Sequence, residues 1–434
     1  MRFVLLALIS ALLGGCATRG SINVSCRGFE TDLVGRLQPS ELEQAIHSRA
    51  AQGFVNSSDD PLKQRLERSL IATSASNGLA EAPPEPAILL LSGGGQWGAF
   101  GAGYLKRLHE TGRLPDFVVV TGVSTGALQS LFVAIGDDEA YTRLVANYSP
   151  ASEKAVVDRN AKALTVLTGS MAGLKPLRAR IESALCKNLS EPCMLDRLAA
   201  LSGRKMVLIG FVNAKTGKFG FVDAVKVAAL PDRERARSCL TGAALASAAM
   251  PVFFQQVRVD GQTYYDGGVR QSVFEARVAS DAGRAVRGQA AALARLPHRV
   301  DAPQGYLPLY VLRNGPTTLS VLPVEANGRS GADRRADALT AAERAEAIVV
   351  NEIEVGSIAE LRLGHPTGTI LMMSADGFDR VGHCVKPKDV MFDPGFMACL
   401  RAYGRTVADG AGNPWISLPP LRNDPAEAVQ EIER

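Results

Sequence analysis

Along most of this chain, short apolar runs bounded by glycine or proline alternate with stretches of helical spacing. Ala87-Ile88-Leu89-Leu90-Leu91-Ser92 is apolar almost throughout, as a strand buried on both faces should be. It runs into Gly93-Gly94-Gly95-Gln96-Trp97-Gly98, and a helix is predicted over residues 99–111, stopped by Gly112. A second β-branched run, Phe117-Val118-Val119-Val120-Thr121, ends in Gly122-Val123-Ser124-Thr125-Gly126. A helix-like stretch at residues 127–135 follows at once. Residues 137–185 read as mainly helical, with breaks at Tyr148-Ser149-Pro150 and around residues 169–173, and their place after the second helix suits a cap or lid. Strand-like residues 206–211 and 218–222 are joined through Lys215-Thr216-Gly217, a hairpin signal. Small residues at 241–249 predict a closely packed helix ended by Pro251. A second hairpin, 256–259 with 262–265 around Asp260-Gly261, delivers Asp266-Gly267-Gly268. Strands at 309–312 and 369–373 flank a helix-like composition at 336–363, broken at Gly356, and residues 396–407 predict a closing helix. This alternation predicts an α/β protein: a three-layer α/β/α domain with a mainly parallel central sheet.

The ends of the chain are patterned differently. Arg2 precedes an apolar stretch, residues 3–13, too short to span a bilayer and fitting a signal-peptide core. Leu13-Gly14-Gly15-Cys16 resembles the lipobox of bacterial lipoproteins, where the cysteine is lipidated before cleavage. Ala17 follows, without the aspartate that retains such proteins at the inner membrane, so the resemblance implies the periplasmic face of a bacterial outer membrane. The domain reading is therefore a signal peptide at 1–15 and, at 16–86, a tether with a small helical segment (41–49 and 62–71) and a Pro-rich linker at 81–86. The main domain spans 87–412, and a proline- and charge-rich tail spans 413–434.

With 46% apolar and 21% charged residues, most of the chain should be globular. A net charge of +4 over 434 residues gives no reason to expect nucleic acid. Seven cysteines minus Cys16 leave six, which an exported chain can pair or keep as buried thiols. Nearness in sequence suggests Cys186–Cys193 and Cys384–Cys399, leaving Cys26–Cys239 by elimination.

The candidate chemistry lies at Gly122–Gly126 and its surroundings. A sharp strand-to-helix turn carrying a serine needs small residues two before and two after it, because a Cβ there would press on neighbouring backbone. Ser124 is then pushed out at the strand end, and the helix aims its first N–H groups at developing negative charge. Gly93–Gly98 satisfies G-x-G-x-x-G, but a dinucleotide site needs an acidic residue at the far end of the next strand. Asp116 precedes that strand, and the far end carries Ser124. The other use of three glycines at a sheet edge is an oxyanion hole. A base for Ser124 is available in Asp266, at a strand end followed by two glycines, or in a histidine, His298, His365 or His383, each in a surface-turn context.

Gly93–Gly98, Gly122–Gly126 and Asp266–Gly268, in that order, resemble the patatin-like phospholipase family, as does Ala246-Ser247-Ala248-Ala249-Met250-Pro251-Val252-Phe253 before Asp260-Gly261. The resemblance implies a lipid acyl hydrolase with a Ser–Asp dyad and no catalytic histidine: Ser124 the nucleophile, Asp266 the proton acceptor, and Gly93, Gly94, Gly95 and Gln96 the oxyanion hole. Gly98, Gly122, Gly126, Gly267 and Gly268 are its motif glycines. Membrane lipids would be the substrate, the membrane would be reached through an anchor on Cys16, and no metal or organic cofactor is implied. Two other readings are a non-catalytic scaffold or binding lipoprotein that keeps the fold, and a Ser-His-Asp esterase on small soluble esters. Trp97 departs from the family, which carries Arg or Lys there; its ring either leans over the substrate entrance or packs into the core.

Overall fold

The computed structural model describes residues 20–36, 87–160, 169–275, 307–319, 338–365, 368–387 and 390–419. Its centre is a sheet whose middle five strands run parallel, in the order β7 (Met206–Asn213), β4 (Phe117–Val123), β3 (Ala87–Leu91), β12 (Leu309–Arg313) and β13 (Ile370–Ser374). All of β3, β4 and β7 is buried, which is why these runs carry hardly any polar residue. Antiparallel strands finish the edges. The hairpin of β10 (Gln256–Val259) and β11 (Gln262–Asp266) joins through Asp260 and Gly261, both with positive φ. β8 (Phe219–Asp223) folds back on β7, and β14 (Ile416–Ser417) on β13.

One apolar layer packs α1 (Gly98–Glu110), α2 (Thr125–Ile135), α7 (Arg233–Ser247) and α9 (Pro394–Ala408) on one face of the sheet. The other face buries Ile88, Leu90, Val119 and Leu208 beneath α8 (Ala338–Gly364) and the segment around Phe274. This is the three-layer α/β/α arrangement read from the sequence.

The structure departs from that reading in four places. Residues 21–36 do not serve as a tether. β1 (Ser21–Val24) pairs parallel with β10, β2 (Val34–Arg36) pairs with β8, and Phe29 between them is buried against Phe211 and Tyr264. The span 137–185 is less helical than expected. Between α3 (Asp138–Asn147) and α4 (Lys175–Leu185), β5 (Asp158–Arg159) and β6 (Ser170–Gly173) form a small sheet with β9 (Val252–Phe254). Helix α8 runs through Gly356 unbroken; an exposed glycine costs a helix about 1 kcal/mol, too little to stop one anchored by other contacts. The start of the tail is folded, with Trp415 buried between Tyr104 and Tyr310.

Three disulfides, Cys26–Cys239, Cys186–Cys193 and Cys384–Cys399, match the pairing expected from the sequence. Cys16, the helices expected at 41–49 and 62–71, the linker at 81–86 and His298 lie outside the described residues.

Candidate active site

Ser124 stands between the last residue of β4 and the first of α2, with φ 55° and ψ −120°. A non-glycine residue in that region is strained by roughly 1–3 kcal/mol and persists only where its surroundings over-determine it. Here they do. A Cβ on Gly122 would lie 2.3 Å from the Gly126 carbonyl oxygen, and one on Gly126 would lie 2.3 Å from that of Leu91. From α7, the fully buried Ser247 donates its hydroxyl to Gly210 O at 2.6 Å and accepts the Ser124 N–H at 2.8 Å. The bend is thus fastened to β7 through one side chain.

The sheet register brings Asp266 to the same spot. β4 reaches β7 with Val123 opposite Gly210, and β11, running the other way, ends with Asp266 opposite Phe211. Two strands from opposite directions therefore meet along one edge of β7 and present Ser124 and Asp266 side by side. The Asp266 carboxylate accepts the Gly268 N–H at 2.8 Å through Oδ1. Oδ2 makes no hydrogen bond of normal geometry among the described residues, although the Ser124 hydroxyl is close enough to favour the ionised form. Such contacts are commonly loose in unliganded sites and tighten on substrate. Burial dominates the balance and raises the Asp266 pKa to about 7, against the opposing pull of Ser124 and the Gly268 N–H. The carboxylate is therefore a stronger base than a solvated aspartate.

The glycine loop forms the third side. Gly94 has φ 140°, and a Cβ there would sit 1.9 Å from Asn314 O, so no larger residue fits. A Cβ on Gly93 would lie 3.3 Å from that of Ser124. The Gly94 N–H meets no backbone acceptor among the described residues, and Gly95 opens a short 3-10 turn, whose first N–H has no partner inside the turn. The loop is clamped from behind. Asn314 donates its N–H to Ser92 Oγ at 2.9 Å and its amide to Ser92 O and to Gln129 Oε1, while Gln129 donates to Gly98 O at 2.8 Å. The Gln96 side chain accepts the Asp393 N–H at 3.0 Å, a tie to the start of α9. Trp97 packs edge-on against Phe378 and Phe396 at centroid distances of 4.7 and 5.1 Å, so the core alternative holds for its ring.

Ser124 and Gly95 open into a cleft whose empty space, solvent at its mouth included, is about 880 Å³. Its walls are mostly apolar, with Leu174, Leu177 and Ile181 from the cap region and Phe254 and Met397 among the other lining residues. The site therefore joins a serine, a buried carboxylate and free N–H groups at the foot of a greasy channel.

Among the described residues, no histidine lines the cleft. His365, expected in a surface turn, is instead buried and bonded through Nε2 to the buried Glu275, away from the cleft lining. His383 is exposed, with φ 52°. Asp116 forms an ion pair with Lys205 at 3.2 Å at the start of β4, the end away from Ser124. Sequence reasoning missed Ser247, Asn314 and Gln129. Ser247 left a signal, being the one polar side chain in the small apolar run 246–250; the other two act through contacts distant in sequence and left none.

Residues 89–277 match the family model for patatin-like phospholipase, and the described part of that span is mixed α/β on a mainly parallel sheet. No curated protein matches the chain. Among solved structures, VipD from Legionella pneumophila is similar at 14% identity and TM-score 0.35, over 75% of this chain and 66% of that one. Human GIVD cytosolic phospholipase A2, in complex with methyl gamma-linolenyl fluorophosphonate, is similar at 12% identity and TM-score 0.30, over 80% and 62%. The type III effector ExoU is similar at 16% identity and TM-score 0.19, over 81% and 60%. The chain thus spans 60–66% of the length of these three structures.

Proposed function

We propose that this protein is a lipid acyl hydrolase that works through a Ser124–Asp266 dyad. The observation that carries the reading is the meeting of β4 and β11 on β7, which sets a strained, partly exposed serine beside a buried carboxylate of raised pKa. The family match over residues 89–277 supports the substrate class. Asp266 takes the Ser124 Oγ proton as the oxygen attacks an ester carbonyl carbon. Charge then gathers on the carbonyl oxygen, where the Gly94 and Gly95 N–H groups stabilise it; one such donor contributes roughly 2.7–4 kcal/mol. The intermediate collapses, the leaving alkoxide takes the proton from Asp266, and an acyl-serine remains. Asp266 then deprotonates a water that attacks the acyl carbon; as that intermediate collapses, the proton returns to Ser124 and the fatty acid leaves. The apolar cleft suits a long acyl chain.

Lipidation at Cys16 would hold this site at a membrane surface. Mass spectrometry of the mature N-terminus should show a diacylglyceryl-cysteine, and a mature chain starting elsewhere defeats the anchor.

The test of the hydrolase reading is fatty-acid release from bacterial membrane lipids by the purified protein. Release by the wild type that falls roughly 10⁴-fold or more in Ser124→Ala is the expected result. No release by the wild type against any lipid ester would leave the scaffold reading, and loss on substituting His365 or His383 in a folded protein would favour the triad.

A further inference from the structure

Among the described residues that line the cleft, Arg180 on α4 is the one charged side chain. Its Nη2 donates to Asn147 O at 2.7 Å, the carbonyl of the last residue of α3. That contact uses one of five N–H groups in the guanidinium. The others have no acceptor, and no carboxylate lies within ion-pair distance, among the described residues. The other arginines of the cap region are held differently. Arg143, Arg159 and Arg178 each face a glutamate, and none of them lines the cleft. Burial presses the Arg180 pKa down, with Tyr148 acting the other way, yet an arginine stays charged. A half-buried cation facing an apolar channel without a counter-ion is unfavourable while the channel is empty, and an anion entering with an apolar chain relieves it.

We propose that Arg180 is an anion subsite in the roof of the Ser124 cleft, binding an oxyanion that is joined to an acyl chain. This rests on the hydrolase reading for its biological sense. Two groups share that chemistry: the phosphodiester of a glycerophospholipid substrate and the carboxylate of the released fatty acid. In either case the planar fork grips two oxygens while the chain lies along Leu177 and Ile181. The anion is recognised from α4 in the roof, whereas Trp97, beside the glycine loop, carries no charge.

The experiment uses the full-length Ser124→Ala protein, so that no probe is consumed, titrated calorimetrically below micelle-forming concentration. The probes are dodecylphosphocholine, sodium dodecanoate and uncharged 1-dodecanoylglycerol. Adding Arg180→Gln should weaken at least one of the two oxyanion-bearing probes by tenfold or more, with the uncharged probe changing less than twofold. Arg180→Lys, which keeps the charge but not the fork, should fall between. Loss confined to dodecylphosphocholine identifies the head-group phosphate, and loss confined to dodecanoate identifies the product carboxylate. Equal weakening of all three probes, or of none, overturns the proposal. Failure of the hydrolase reading would show separately, as a wild type that releases no fatty acid while Arg180-dependent binding persists.

Discussion

The floor and the roof of the cleft are built on different terms. On the floor, Ser124, Asp266 and the glycine loop are fixed by central strands and by buried polar groups with specific partners, Ser247 on Gly210 and Ser124, Asn314 on Ser92 and Gln129. The roof is made of α3, α4 and a three-stranded sheet of short strands, and it shows the cleft mainly interchangeable apolar side chains. It is tied down by side-chain contacts such as Arg143 to Ala184 O at 2.6 Å and by the Cys186–Cys193 disulfide at its edge. Chemistry needs positions held to fractions of an ångström, whereas selection among acyl chains needs only volume and greasiness. Substitutions on the floor should therefore change rate, and those in the roof should change preference.

The largest expected effect is at Asp266. Asp266→Asn should lower kcat by roughly 10³-fold or more while the protein stays folded. In the wild type, kcat/KM should rise with pH through a midpoint near 7, because the base must be ionised and its pKa is about 7. The same shift has a stability consequence. Since the folded-state pKa lies above the ordinary 3.8, the native state holds a proton that the unfolded chain has released, and stability falls as pH rises from about 4 to about 7. Asp266→Asn removes that penalty. Its Tm should exceed the wild-type value above pH 7, with the gap closing towards pH 4. A thermal scan in which the variant is less stable at every pH would argue against a buried carboxylate of raised pKa.

An intermediate effect is expected at Ser247. Ser247→Ala leaves the Ser124 N–H and Gly210 O without their shared partner, a loss of about 1–3 kcal/mol in stability. Because the elbow loosens, kcat should also fall by roughly tenfold with KM little changed. A variant equally destabilised but with unaltered kcat would mean that the serine is held by its glycines alone.

The smallest effect belongs to the roof. Leu177→Trp should narrow the channel and lower kcat/KM for a sixteen-carbon ester relative to a four-carbon ester by roughly threefold to tenfold, with kcat on the short ester unchanged. An unchanged ratio would remove α4 from chain selection.

What could be read from the sequence divides along the same line. The elbow was legible because Gly122 and Gly126 are demanded by backbone contacts within a few residues and at the next strand, and so the pattern is local. The parallel strands were legible because burial on both faces leaves nothing polar in them. Residues 21–36 were not, since their strands form only against β8 and β10, some two hundred residues away, with Phe29 slotted beside Phe211. Trp97 was ambiguous for the same reason. Its partners, Phe378 and Phe396, belong to a segment whose position is set by α9 and the Cys384–Cys399 link. Asn314 looked like any polar residue after a strand, and only the fold puts it behind the glycine loop.

The most direct measurement is covalent labelling by a long-chain fluorophosphonate, read by intact mass and peptide mapping. The account predicts a single phosphonyl adduct on Ser124, abolished in Ser124→Ala and slowed at least a hundredfold in Asp266→Asn, with His365 and His383 variants labelling at the wild-type rate. An adduct on another residue, no adduct at all, or labelling of Ser124 that is indifferent to Asp266 would contradict it.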